Sequence, residues 1–482
     1  FDSNSACLDL VGVPAKDRER LLRNAREPMI SDGIDPLTIE PVLLHAHIGK
    51  ALDHVVRRRM KTPRDLTRTI DDVLTHRVFG LAFFAALMFL IFQCIYSWST
   101  PAMDAIEGVN AALAAGFARL LEPMPVFQSL VCDGIVAGAG GVVVFLPQIL
   151  LLFFFVALLE DTGYMARAAF LMDRLFGWCG LNGKSFVPLL SGYACAIPGI
   201  LAARTIEDPK ARLVTVLITP LMSCSARLPV YLLMIGAFVQ PTWGPVIAAA
   251  TLFAVHLIGL AVALPLAWFM NRCVLKTPTQ PFVIELPRYR IPAAKDVLWR
   301  MGLGGWEFLQ RAGSIILAIS ILIWALLYFP HRDGSPGDPA AQAAQVEQSY
   351  LGQAGRAIAP VFAPAGFDWR ISIGVLASFP AREVLVSTLG IIYGLGSDTP
   401  GESEPLTSAL RQAKWPDGPR AGQPVFTVAT ALAIMVFFAF CMQCAATLAI
   451  ITREVGLRYA VLSFFFMTSL AWVSAVAVYQ IA

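Results

Sequence analysis

The chain has 482 residues, of which 57% are apolar and 15% charged, with a mean hydropathy of +0.65. Soluble domains carry nearer a quarter charged residues, and several apolar runs of about 18 residues or more exclude one soluble core and require a chain that crosses a membrane repeatedly. The net charge of +3 points to no partner, and the odd count of nine cysteines, with those at 94, 195, 224, 441 and 444 in or beside apolar runs, excludes a disulfide framework.

Residues 1–77 are soluble in character, with a charged helix expected from Pro14 and a second from about Pro41 to Arg59. His45, His47 and His54 read as exposed or capping histidines rather than a metal site. Arg57, Arg58, Arg59, Lys61, Arg64, Arg68 and Arg77 precede the first apolar run, which marks a cytoplasmic flank. No aromatic residues interleave with them, so nucleic acid is not an expected partner. The chain opens at Phe1 with no signal peptide, so a preceding segment is expected.

The first span is expected over Phe79–Trp98. Residues 99–141 hold one positive charge, Arg119, against Asp104, Glu107, Glu122 and Asp133, and Ile106, Val109, Leu113, Phe117 and Leu120 give an apolar stripe, read as an interfacial helix on the outer side. A second span, Val142–Leu159, ends at Glu160-Asp161. The stretch from Ser185 to Arg212 is too apolar for a soluble loop and too interrupted, by Gly192, Pro198 and Gly199, for an ordinary span. Broken backbone survives in lipid only where protein or a wet cavity satisfies it. Were 186–203 to cross, Arg204, Lys210 and Arg212 would lie outside, so a re-entrant segment is expected.

Leu213–Val239 is interrupted at Pro220-Leu-Met-Ser-Cys-Ser-Ala-Arg-Leu-Pro229, and Gly244–Met270 is a cleaner span. The basic stretch 272–311 is cytoplasmic by the same charge rule. Gly313–Phe329 spans outward, 330–368 forms an outer loop, and Ile371–Gly394 is a span broken near Pro380. After a linker, two spans follow, about Val425–Ile450 and Leu457–Tyr479. The sum is an all-α polytopic membrane protein with about eight spans and both termini cytoplasmic.

An internal repeat is visible. Cys195 is followed nine residues later by Arg204, and Cys444 nine residues later by Arg453, each with an acidic residue just beyond. Ala166-Arg167 and Ala381-Arg382 precede them in order. Paired interrupted segments in two halves point to a transporter with its site between the repeats, which the span count makes inverted. The division expected is 1–77 linker and lead-in, 78–141 first span and outer helix, 142–271 first repeat, 272–311 loop and 312–482 second repeat.

Cys195, Cys224, Cys441 and Cys444, with Met165, Met222 and Met442 as thioether partners, are the candidate ligands for a soft or borderline metal. The competing reading of each is a small buried hydrophobe. Glu160, Asp161 and Glu383 stand at span edges, where carboxylates are functional candidates by default. Their alternative is ion pairing with Arg167, Arg204, Arg227 or Arg382. His256 reads as a packed, hydrogen-bonded histidine. Gly183-Lys184-Ser185 is no phosphate loop, because Trp178 stands where that motif needs glycine. Without a His/Glu zinc pair or a Ser-His constellation, an enzyme is not expected.

Val144-Phe-Leu-Pro-Gln-Ile, Leu159-Glu-Asp-Thr-Gly-Tyr-Met-Ala-Arg-Ala-Ala-Phe, Gly192-Tyr-Ala-Cys-Ala-Ile-Pro, Met222-Ser-Cys-Ser-Ala-Arg-Leu-Pro-Val-Tyr and Ala381-Arg-Glu-Val-Leu-Val-Ser-Thr-Leu resemble the membrane domain of ferrous iron transport protein B (FeoB) over about 65–480. One departure is Tyr193-Ala194 before the cysteine, where that family often has Gly-x-Gly. The resemblance implies two Gate repeats and uptake of Fe2+ across the bacterial inner membrane. It implies GTP and Mg2+ bound only by a G domain outside these residues, and small cytoplasmic Feo accessory proteins as partners beside the lipid bilayer. A homo-oligomer is left open. A nucleoside-type solute transporter on the same repeats is the alternative.

Overall fold

The computed structural model describes residues 47–48, 50, 66–76, 78–181, 183–275, 286–330, 339–382, 384–393, 404–415 and 420–481. The helix expected near 14–23, all but residues 47–48 and 50 of the one expected near 41–59, His45, His54 and Glu383 lie outside these residues. The described residues are helical, with no strand among them. Residues 1–69 and 70–482 form separate units, and the architecture below is that of the second.

The helices used here are α1 (Leu66–Leu74), α2 (Phe79–Leu120), α3 (Leu146–Asp161), α4 (Tyr164–Phe176), α5 (Phe186–Ala194), α6 (Ala196–Ala202), α7 (Pro209–Ile218), α8 (Leu228–Met234) and α9 (Gln240–Phe269). They continue with α10 (Ala294–Phe308), α11 (Ser314–Tyr328), α12 (Trp369–Ala377), α13 (Val384–Ile392), α14 (Val428–Phe440), α15 (Ala445–Val455) and α16 (Leu457–Ile481).

Among the described residues, six helical stretches are long and apolar enough to cross a membrane: 79–120, 125–161, 209–274, 294–328, 428–455 and 457–481. The third has 66 residues, roughly 100 Å of helix against a core of about 30 Å. It turns back at Gly244, whose φ of 82° breaks the helix, and so crosses twice. Among the described residues the result is about seven crossings rather than eight, and α16 ends on the face opposite the start of α2.

The difference arises at 369–392. α12 and α13 are 9 residues each, about 14 Å, too short to cross. They pack against each other as a hairpin. Arg370 at its start lies over the ring of Tyr393 at its end, 5.6 Å from the centroid, so the hairpin enters and leaves on one face. The reading of a broken span here is therefore corrected. The expected re-entrant segment at 186–203 takes the same form. α5 and α6 pack together, and Lys184 before the hairpin pairs with Glu207 after it at 2.8 Å.

The two hairpins open to opposite faces. The first opens where Lys210 Nζ donates to the Leu275 carbonyl and Arg300 pairs with Glu160, hereafter the charged face. The second opens where Gln480, at the far end of α16, donates to the Pro364 carbonyl. Each hairpin is followed by a broken crossing, α7–α8 in the first repeat and α14–α15 in the second. The repeats are thus inverted, each a hairpin plus a broken crossing.

The expected interfacial helix at 106–120 is instead the in-line continuation of the first span, through Pro101. Asn110 packs on Gly140 of the returning helix so closely that a Cβ there would collide with its side-chain amide. The stripe itself, Val109, Leu113, Phe117 and Leu120, stays exposed, so it is the Asn110 side of this helix that packs on its neighbour and the apolar side that is left for lipid.

Candidate functional site

Four breaks in helical backbone meet in the interior. In the first, Cys195 alone is extended (φ −155°, ψ 135°) between α5 and α6. Pro198 lies in the first turn of α6, where a missing N–H costs nothing. Gly199 lets the two arms cross: a Cβ there would sit 2.6 Å from the Pro188 carbonyl and 3.0 Å from the Gly192 nitrogen. The second break carries Met222, Ser223 and Cys224 between Leu221 and Ser225. The third is the tip of the α12–α13 hairpin, Ser378 to Arg382. The fourth is Cys441-Met-Gln-Cys444 between α14 and α15, with Cys444 extended (φ −155°, ψ 101°).

Each hairpin tip touches the broken crossing of its own repeat. Ser225 Oγ donates to the Ala194 carbonyl at 3.3 Å, and the Ala445 N–H donates to the Phe379 carbonyl at 3.2 Å. The carbonyls freed by the breaks are met by two buried guanidiniums. Arg227, fully buried, donates from Nη1 to Met222 (2.9 Å) and Leu221 (3.3 Å) and from Nη2 to Pro220 (2.9 Å). Arg382, 4% exposed, donates to Cys441 (2.8 Å), Phe438 (3.1 Å) and Gln443 (3.4 Å). Unwound backbone in an apolar interior is costly unless every group is paired, so these arginines are what makes the breaks tolerable.

The four candidate thiols are brought together. Cys195 and Cys224 adjoin the Ala194–Ser225 contact, Cys444 adjoins the Ala445–Phe379 contact, the Cys441 carbonyl accepts from Arg382, and the helices that start after Cys195 and Cys444 pack together. Arg382 places a fixed positive charge beside Cys441 and Cys444. Cys441 is buried and its Sγ donates to Gln443 Oε1, whereas Cys195, Cys224 and Cys444 are part-exposed. Among the described residues, no three His, Cys, Asp or Glu side chains converge closely enough to hold a metal in this arrangement. The thiols are neighbours, not yet a coordination shell.

The other candidates stand elsewhere. Glu160 pairs with Arg300 at 3.1 Å and Asp161 accepts from the Ala293 N–H at 2.8 Å, both at the charged face. Neither carboxylate pairs with Arg167, Arg204, Arg227 or Arg382, which have other partners: Asp71, Glu454 and backbone carbonyls. Met165 lines an apolar cavity of about 30 Å³ with Met88 and Leu190, and Met222 and Met442 are core residues. His256 is packed as expected, with Nδ1 3.0 Å from the Leu252 carbonyl and its ring edge-on to Tyr231.

Arg167 builds a clasp at the charged face. Its Nε and Nη2 meet the two Asp71 oxygens at 3.0 and 3.2 Å, Nη1 donates to the Gly163 carbonyl, and the guanidinium lies 4.1 Å over the Tyr289 ring. Tyr289 in turn donates to Asp71 at 2.9 Å. Burial opposes ionisation of Asp71, but the hydrogen bonds from Arg167 and Tyr289 and the guanidinium charge hold its carboxyl below the ordinary value. Burial and the Asp71 carboxylate push the Tyr289 hydroxyl up to about 12, so it stays a donor.

The roles of Arg227 and Arg382 were missed from sequence. The available signal was a shared Ser-x-x-Ala-Arg spacing, Ser223 to Arg227 and Ser378 to Arg382, at the two interrupted points whose carbonyls needed a donor.

The sequence matches the family described as Gate: Nucleoside recognition over residues 142–238 and 309–458, and the family described as Ferrous iron transport protein B C terminus over 252–303. Among similar proteins, the Fe(2+) transporter FeoB of Leptospira biflexa is 42% identical over 86% of this chain and 59% of its own length. The Fe(2+) transport protein A/Fe(2+) transporter FeoB fusion protein of Porphyromonas gingivalis is 39% identical over 91% of this chain and 54% of its own. The Fe(2+) transporter FeoB of Campylobacter jejuni is 36% identical over 86% and 65%. The chain thus spans between 54% and 65% of these relatives' length. No solved structure matches.

Proposed function

Because the chain belongs to the ferrous iron transport protein B family and matches its membrane part, we propose that it moves Fe2+ across the bacterial inner membrane. The observation that carries the proposal is the packing together of the broken segments of two inverted repeats, with Cys195, Cys224, Cys441 and Cys444 at or beside the breaks. Thiolates suit a borderline cation such as Fe2+ and discriminate against Mg2+ and Ca2+. Cys195, Cys224 and Cys444 are the proposed ligands, with Cys441 behind them on Gln443. The thiols would close on the ion as the broken segments shift, a rocking of one repeat against the other. The charged face is the cytoplasmic one in this reading, by its arginines and lysines. Glu160 and Asp161 would then act as surface groups near the exit.

GTP and Mg2+ would enter through a separate G domain, and the fusion protein of Porphyromonas gingivalis, named for transport protein A, supports a small accessory partner of that kind. A nucleoside cargo is disfavoured, since the similar proteins are named Fe(2+) transporters. The test is radioactive iron uptake in cells lacking other ferrous transporters. Cys195→Ser with Cys444→Ser is expected to lower uptake at least about tenfold, the effect of losing part of a ligand set. Uptake retained in the double variant sinks the thiol assignment.

A further inference from the structure

Two of the helices that begin at the thiols end at one ion pair. α6 starts directly after Cys195 and α15 directly after Cys444, and they pack together. At their far ends Arg204 Nε stands 3.0 Å from both Glu454 oxygens, with Nη2 also bonded to Oε1. The pair joins the first repeat to the second. Its two members differ in freedom: the Glu454 side chain is 9% exposed and that of Arg204 54%. Glu307 adds its field to Arg204 and pairs with Arg311 at 3.6 Å. Arg311 lies on a π-helical turn, Leu309–Gly313, a local irregularity often found at functional sites.

A cavity of about 250 Å³ lies beside both levels, lined by chain neighbours of the thiols and of the ion pair rather than by those groups themselves. Ser191, Ile197 and Pro198, the chain neighbours of Cys195, line one part, and Ala202, Glu307 and Arg311 line another. One water needs roughly 10–15 Å³ of such space, so the cavity has room for several. It is thus large enough for a hydrated cation leaving the thiols.

We propose that Arg204 and Glu454 are the inner gating pair of the cation path, a latch between the repeats that closes this cavity toward the charged face. The inference rests on reading the thiols as the middle of that path. The pairing suits a latch. A fork on a carboxylate fixes geometry, yet a pair with one exposed partner is weak enough to open. The half-exposed Arg204 is the moving part, and Glu454 is the carboxylate that a departing cation meets when Arg204 withdraws.

The test is thiol labelling, which needs no iron transport and so separates failure of the latch from failure of the thiol assignment. Purified full chain in detergent is treated with a charged maleimide, and modification at each cysteine is followed by mass spectrometry. The exposed Cys273 serves as the reference and the buried Cys179 as the reporter of unfolding. Arg204→Gln and Glu454→Gln are each expected to raise labelling of Cys195 and Cys444 about fivefold or more, with Cys179 unchanged. The exchanged pair, Arg204→Glu with Glu454→Arg, is expected to return the rate toward that of the unaltered chain. Unchanged labelling in both single variants overturns the proposal. So does an exchanged pair as reactive as the single variants, or a matching rise at Cys179, which would make the pair a support of the fold rather than of the path.

Discussion

Replacing Arg382 by methionine tests the role of the buried guanidiniums. The side chain keeps its approximate length and loses its donors. Carbonyls of Cys441 and Phe438, bonded at 2.8 and 3.1 Å, and that of Gln443 at the longer 3.4 Å, lose a partner in the interior. A buried acceptor left unpaired costs about 1–3 kcal/mol. Two well-formed bonds therefore give about 2–6 kcal/mol, offset by relief of the buried charge, whose desolvation is itself costly. A net cost of about 2–4 kcal/mol remains. It falls on the unwound Cys441–Cys444 segment, so local opening there becomes easier by about 30- to 700-fold at 1.4 kcal/mol per decade. The assay is the labelling rate of Cys441, which is fully buried in the unaltered chain. Arg382→Lys, which keeps one donor group, is expected to fall between. A Cys441 as unreactive in Arg382→Met as in the unaltered chain refutes the reasoning, since the carbonyls would then be satisfied some other way.

The clasp at Asp71 gives a pH prediction. Its folded pKa lies below the unfolded one, so its contribution is present above about pH 4 and is lost as pH falls through the folded value. Asp71→Asn is expected to melt lower than the unaltered chain at pH 7, with the gap closing below about pH 4; a gap that persists in acid contradicts the ion pair. Gly199→Val is expected to cost about 1–3 kcal/mol by overpacking the hairpin, read as a lower melting temperature, and no change would mean the arms do not cross as closely as described. Cysteines introduced at Lys184 and Glu207 should be labelled from the same membrane face as Cys273, and one at Tyr393 from the other face; labelling of positions 184 and 207 from different faces would disprove the hairpin.

Much of this was legible in the residues because lipid narrows the choices. Interruptions at Pro198 and Gly199 could not belong to a plain span, and the charges of Arg204, Lys210 and Arg212 kept that stretch on one face. At 371–394 the charges give less guidance: Asp368 and Arg370 precede the segment, Arg382 lies inside it and Asp398 follows it, so no contrast of sign marks the two ends. The pairing of Cys195 with Cys444 followed from like spacing to Arg204 and Arg453. In the structure the first is a hairpin tip and the second lies in a broken crossing, so their nearness comes from the inverted packing and not from equivalence. Partners far apart in sequence were the least accessible. Arg204 reaches Glu454 across 250 residues and Arg167 reaches Asp71 across 96, and nothing local marks such pairs. Glu160 and Asp161 drew notice by lying at the end of a span, a position where a surface ion pair with Arg300 is equally at home.

The most direct test of the central claim is to locate the ion itself. Crystals of the full chain loaded with Fe2+ under reducing conditions, measured on both sides of the iron absorption edge, would show it by anomalous scattering. The account predicts one peak among the four breaks, with the sulfurs of Cys195 and Cys444 at bonding distance, about 2.3 Å, the length of a metal–thiolate bond. A peak surrounded by oxygen atoms alone, away from all four thiols, would contradict it.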